Sequence, residues 1–83
     1  MPFLVYIIYS SSFDQYYIGH CEDIEDRIFR HNNSGSKSTK KTNDWIVVYT
    51  EVFQSKSEAA TRELAIKKKK SRKYIEWLIF RAG

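Results

Sequence analysis

A single cysteine, Cys21, excludes an internal disulfide framework and any cysteine-rich zinc site. It fits a reducing compartment, and a cytoplasmic location is expected. One proline and three glycines among 83 residues are too few for a collagenous or low-complexity chain. No apolar run approaches the roughly 20 residues of a membrane span. The short run FLVYIIY has no basic segment before it and no small-residue cleavage site after it, so it is expected to be a strand rather than a signal peptide. No membrane partner is expected. The chain also has no glycine-rich phosphate loop, no serine in a nucleophile elbow and no His/Cys cluster. Those absences argue against P-loop nucleotide chemistry, serine-based acyl transfer and structural zinc.

What is present points to one folded domain spanning residues 1–83. Hydrophobic residues make up 42% and aromatic residues 16%, too many for a disordered chain. The net charge of +4 is unevenly placed. Asp14, Glu22, Asp23, Glu25 and Asp26 make the first part acidic. Lys37, Lys40 and Lys41 then cluster in a polar stretch, and Lys67, Lys68, Lys69, Lys70, Arg72 and Lys73 form a second basic cluster. Clusters of this kind suit a polyanion, because neutralising phosphates releases counterions. They equally suit a solvated helix end, where lysines favour the helix dipole.

The pattern along the chain reads ββα–β–αα. FLVYIIYSS is a continuous apolar run of the kind that forms a central strand covered on both faces. SSFDQ supplies turn residues, and YYIGH pairs back as a hairpin. Glu22 and Asp23 open a helix expected to end near Arg30. WIVVYTEVF is rich in β-branched and aromatic residues, as a third strand should be. Ser55, with Glu58 three residues on, is a capping box that opens the helix EAATRELAIKKKK. Ser71 can cap a last helix, RKYIEWLIFRA, with Ile75, Leu78 and Ile79 on one face. The expected fold is α/β (α+β): a three-stranded, mostly antiparallel sheet flanked by helices. Trp45, Trp77 and most of the tyrosines are expected in the core.

Several polar groups face inward. A helix turns about 100° per residue, so Arg27 and His31 fall on or beside the stripe made by Ile24 and Ile28. Glu63 lies among Ala59, Ala60, Leu64 and Ile66, on the side that should meet the sheet. Tyr6 and Tyr17 each project from one sheet face. Burying charge is unfavourable unless it is paired. One reading is therefore an internal Arg27–Glu63 salt bridge capped by the tyrosines. The other is a site in which Tyr6, Tyr17, Arg27, His31 and Glu63 converge on one sheet face. A lone carboxylate can hold Mg²⁺ with several waters retained. An arginine suits bidentate phosphate contact, and phenols with an imidazole can orient or deprotonate water. Together they fit metal-assisted phosphodiester hydrolysis.

These residues resemble the signature of the GIY-YIG endonucleases. Tyr17-Ile18-Gly19 stands as the second half of that signature, and Val5-Tyr6-Ile7 occupies the first, matching at its tyrosine. Ten residues separate Tyr6 from Tyr17, Arg27 follows Tyr17 by ten positions, and His31 lies four further on. Glu63, in TREL, matches the metal-binding glutamate of the family's second conserved helix. The resemblance extends to the basic tail KKKKSRKYIEWLI and is closest to small standalone bacterial members. Two features depart from the pattern: the first glycine is absent, and about twelve residues past Glu63, near where several relatives carry asparagine, stands Ile75.

The resemblance implies an endonuclease acting on DNA, or RNA, with one Mg²⁺ or Mn²⁺ held by Glu63, and a place in repair or recombination. It implies that Arg27 holds a non-bridging phosphate oxygen. One tyrosine would align or deprotonate water, with Tyr6 favoured by a partnership with His31. Lys37, Lys40, Lys41, Lys67, Lys68, Lys70 and Arg72 would grip the backbone without reading sequence. His20 is expected to be an ordinary strand-end histidine. A monomer is expected, with a partner protein or shape recognition supplying selectivity. Two other readings keep the same fold: a nucleic-acid-binding module without turnover, and a scaffold in which Arg27 and Glu63 are only a structural pair.

Overall fold

The computed structural model describes residues 2–33 and 39–82. The first basic cluster is therefore seen at Lys40 and Lys41, while Lys37 lies outside the described residues. The elements follow the order read from the sequence: β1 (Phe3–Ser10), β2 (Gln15–Cys21), α1 (Ile24–Asn33), β3 (Ile46–Phe53), α2 (Lys56–Lys69) and α3 (Arg72–Ala82). The sheet is antiparallel throughout, with strand order β2-β1-β3. The unbroken apolar run thus became the middle strand, which only a strand buried on both faces requires.

Alternation along β1 divides the core in two. Val5 and Ile7 point to one face, where Ala59 and Ile66 of α2 and Leu78 of α3 close over them. Tyr6 and Ile8 point to the other, packed with Cys21 and Trp45 and covered by Ile24 and Ile28 of α1. Leu78 has no exposed surface. Leu78→Ala is expected to destabilise the domain by about 2–5 kcal/mol. A urea unfolding curve with an unchanged midpoint would contradict that placement.

The helix ends follow local chemistry. The Ser55 hydroxyl accepts from the Glu58 amide at 3.2 Å, and the Ser71 hydroxyl accepts from the Tyr74 amide at 3.2 Å, so both caps form. Helix α1 runs one turn beyond its expected end near Arg30. The Asn32 side chain donates to the Trp45 carbonyl at 3.0 Å and accepts from the Trp45 amide at 2.8 Å. Those partners are distant in sequence, so the sequence alone does not signal the extra turn.

The turn between β1 and β2 is fixed from outside. Asp44 accepts from the hydroxyls of Ser10, Ser11, Ser12 and Thr42 and from the Ser12 amide. Those bonds, led by the Ser10 hydroxyl, hold its carboxyl well below the usual carboxylate range. Trp45 is buried as expected, but Trp77 is 53% exposed and stacks against Tyr74 with Arg81 over its ring. Ile75, Leu78 and Ile79 take the inward face of α3, leaving Trp77 on the outer side.

Candidate active site

The Tyr6 ring is 1% exposed and passes beneath Gly19, its antiparallel partner on β2. A Cβ added at Gly19 would lie 2.4 Å from the Tyr6 hydroxyl oxygen and 2.6 Å from Cζ. The glycine of Tyr17-Ile18-Gly19 is thus required by space: it makes room for the tip of the other tyrosine. Because that tip is buried and bonded, it cannot swing aside freely. Gly19→Ala is expected to destabilise the fold by about 1–3 kcal/mol and to break the Tyr6–His31 bond. Chemical denaturation measures the first, and the imidazole ¹⁵N shifts of His31 report the second; unchanged shifts would contradict it.

That bond joins the Tyr6 hydroxyl to His31 Nε2 at 2.8 Å. The other ring nitrogen, Nδ1, meets the Thr39 hydroxyl at 2.8 Å, and the Thr39 carbonyl accepts from the Trp45 indole at 2.8 Å. Tyr17, half-buried, sets its ring 5.1 Å from the His31 ring. Burial, then the Arg27 charge, lowers the His31 pKa below its ordinary 6.5, so the imidazole is neutral at neutral pH. Burial and the neighbouring Tyr17 push Tyr6 well above an ordinary phenol, against the opposing pull of Arg27. A standing Tyr6 phenolate is therefore disfavoured, whereas a neutral His31 with an acceptor nitrogen is available.

Glu63 does not share this sheet face. Helix α2 packs through Ala59 and Ile66 on the Val5–Ile7 side, opposite Tyr6. Convergence of all five groups on one face is thus corrected, because a helical wheel does not reveal which side of a sheet a helix will take. Glu63 instead meets the edge of β2. Next to Gly19, His20 points the opposite way, and its Nδ1 donates to Glu63 Oε1 at 2.6 Å. Lys67 donates to Glu63 Oε2 at 2.6 Å and holds its ammonium 5.9 Å from the centre of the Tyr17 ring. The alternative of an internal Arg27–Glu63 salt bridge is replaced by these two partners. Burial works to raise the Glu63 carboxyl, but the bonds from Lys67 and His20 outweigh it, so the group is a carboxylate at neutral pH.

Arg27 makes no ion pair among the described residues, unlike its neighbour Arg30, which pairs with Asp26 at 3.0 Å. It lines a cleft of about 440 Å³ between the start of α1 and the end of β2. His20 lines the same cleft. His20 thus lines the cleft of Arg27 and bonds Glu63. By sequence position His20 is an ordinary strand-end residue. The available signal was strand alternation, which sends His20 away from Gly19 and toward whatever covers the other face.

The basic residues divide. Lys40, Lys68 and Lys70 are exposed. Lys41 donates to the Gln15 side chain and lies 5.0 Å from the centre of the Phe13 ring, beside the β1–β2 turn. Arg72 is engaged within the protein: it bonds Asp14 Oδ1 at 2.6 Å, the Asp14 carbonyl at 2.9 Å and Glu76 at 3.4 Å. It braces the hairpin against α3, a role its place in the basic run does not signal.

Among the described residues no three His, Cys, Asp or Glu side chains gather as a metal cage. A single ionised carboxylate such as Glu63 suits a hard divalent ion that keeps most of its ligands as water or substrate oxygen. No helix among the described residues is long and apolar enough to cross a membrane.

The chain is 50% identical over 52 residues to a UPF0213 protein of Staphylococcus saprophyticus, covering 61% of this chain and 63% of that protein. It is 39% identical over 64 residues to a UPF0213 protein of Staphylococcus aureus, covering 76% and 77%. The chain thus spans just under two thirds of the length of the first of these relatives. The solution NMR structure of a UPF0213 protein from Bacillus halodurans matches with a TM-score of 0.62 and 32% identity, covering 100% of this chain and 87% of that one. The family model of the GIY-YIG catalytic domain matches residues 2–75, a span that takes in both tyrosines, α1, the whole sheet and α2. On that match this chain belongs to the GIY-YIG catalytic-domain family, a family of nucleases.

Proposed function

We propose that this domain, residues 1–83, is an endonuclease that hydrolyses phosphodiester bonds in DNA, or RNA, with one Mg²⁺ or Mn²⁺. The observation that carries the reading is the unpaired Arg27 in a cleft shared with His20, whose imidazole holds the ionised Glu63. Glu63 would hold the ion, which when bound supplies Lewis-acid stabilisation at the scissile phosphate. Every other step belongs to the chain. Arg27 receives a non-bridging phosphate oxygen and offsets the charge that grows in the transition state. The Tyr6 hydroxyl donates to His31 Nε2 while Nδ1–H donates to Thr39, so a proton relayed to Tyr6 can pass on to His31 without a free phenolate. Tyr17, the more exposed phenol, orients the water. Lys40, Lys41, Lys67, Lys68 and Lys70 supply phosphate contacts, whereas Arg72 does so only if its internal bonds open. Incubation of labelled duplex, flap and single-stranded DNA and of RNA with Mg²⁺ or Mn²⁺ tests the reading. Cleavage that a chelator abolishes is expected; intact substrates throughout would overturn it.

A proton acceptor held neutral by burial gives a definite pH dependence. His31 accepts only when unprotonated, so the cleavage rate should rise with pH, with a midpoint below 6.5, and level off before neutrality. Stability follows the same sign. Below pH 6.5 the unfolded chain protonates His31 while the folded protein does not, so stability falls as pH drops toward the lowered folded value. A kcat/KM profile measured at saturating metal checks the first statement, and a midpoint above the ordinary imidazole value would contradict it.

A second reading, a nucleic-acid-binding module without turnover, is favoured by one observation: both Glu63 oxygens already have partners. It predicts steeply salt-dependent binding and no cleavage in Mn²⁺.

A further inference from the structure

A second cleft, of about 430 Å³, opens where β2 meets the junction of α2 and α3. Its construction differs from that of the first. The floor and wall are apolar: Ile18 and Ile66, almost fully buried, with the partly exposed Ile75 and Tyr16 above them. The charged lining is Lys67, Lys70 and Arg72, with one carboxylate, Asp14. Lys67 and Lys70 stand on one side, and Gln15, which bonds Lys41, stands on the other. Lys41, from the first basic cluster, reaches this side only through its bond to Gln15. Lys70 is held there by its backbone: it ends α2 in the left-handed region at φ 47°, with its amide bonded to the Lys67 carbonyl at 3.1 Å. It makes no ion pair among the described residues. The carboxylates nearest the opening, Asp14 and Glu76, are neutralised by Arg72, which also covers one face of Tyr16 at 5.1 Å.

We infer that this cleft takes one unpaired nucleotide of the substrate, its base against Ile18 and Ile75 and its phosphates at Lys67 and Lys70. The occupant is fixed by three features. The lysines of the rim favour an anion, the isoleucines of the interior favour an apolar body, and about 430 Å³ admits one nucleotide but no duplex. Position supplies the fourth. Lys67 lies on the rim and also bonds Glu63, so a strand seated in the cleft passes directly beside the carboxylate. This rests on the nuclease reading for its meaning, since it selects substrates with a single-stranded or extruded nucleotide next to the scissile bond. A fully paired duplex would place phosphates on the rim and leave the interior empty.

The test compares two single-stranded thymidine tetranucleotides, one intact and one lacking the base at a single internal position, titrated without metal into protein carrying labelled isoleucine methyl groups. The change is in the ligand, so folding is untouched. The expected result is a saturable shift of the Ile18 and Ile75 methyl signals by the intact strand. The abasic strand should bind roughly tenfold or more weakly, the usual effect of losing one base contact. A blunt duplex should bind through its phosphates and leave those methyl signals in place. Equal affinity for the two strands, or binding that moves no isoleucine methyl, would overturn the inference. Base-dependent binding without cleavage under any metal would retain the cleft and remove the nuclease reading. Cleavage with no base dependence would do the reverse.

Discussion

Glu63→Gln is expected to lower cleavage by roughly 10³-fold while leaving the protein folded. The catalytic effect follows from removing the carboxylate assigned to the divalent ion, a contribution of several kcal/mol at about 1.4 kcal/mol per tenfold in rate. The small effect on stability follows from its partners. His20 and Lys67 keep 27% and 45% of their side chains exposed, so each pair is screened, and the amide oxygen of glutamine still accepts from one of them. A change of less than about 1 kcal/mol is expected, or a few degrees in melting temperature at about 4–8 °C per kcal/mol for a domain of this size. A structural Arg27–Glu63 pair in the core would instead lose about 3–5 kcal/mol when one partner is removed. The melt and the cleavage assay, run on the same preparation, separate the two. A large stability loss with no catalytic change would contradict the metal-holding role of Glu63.

Arg27→Ala should lower cleavage by roughly 10²–10³-fold, the usual effect of removing one preorganised donor from developing negative charge. Arg27 has no carboxylate partner among the described residues, so its removal leaves no orphaned anion in the protein. Folding should be nearly unchanged. Arg27→Lys should restore little, because an ammonium offers a point charge where the guanidinium offers a planar fork. Single-turnover rates at saturating metal measure this directly. A variant that cleaves at the wild-type rate would remove Arg27 from the phosphate site.

The element order was legible because each segment carries its own local signal: the apolar run of β1, the Ser55 capping box, the Ser71 cap and the β-branched run of β3. The tyrosine pair was legible too, since a hairpin of this length brings Tyr6 opposite Gly19 in register. Three features were not. Helix periodicity placed Glu63 inward without saying on which face of the sheet α2 would pack. His20 and Lys67, the partners of Glu63, are set by tertiary approach at the β2 edge. Arg72 reads as one cation in a basic run, yet it bonds Asp14 fifty-eight residues away. In each case a local pattern fixed what a residue can do, and distant packing decided which partner it met.

The most direct measurement is cleavage of labelled flap, single-stranded and duplex DNA and of RNA in Mg²⁺ and Mn²⁺, with Glu63→Ala and Arg27→Ala purified in parallel. The expected result is chelator-sensitive cleavage by the native protein and its loss in both variants, each still folded by melting analysis. Absence of cleavage in the native protein, or cleavage that survives both substitutions and so belongs to a contaminant, would contradict the nuclease assignment.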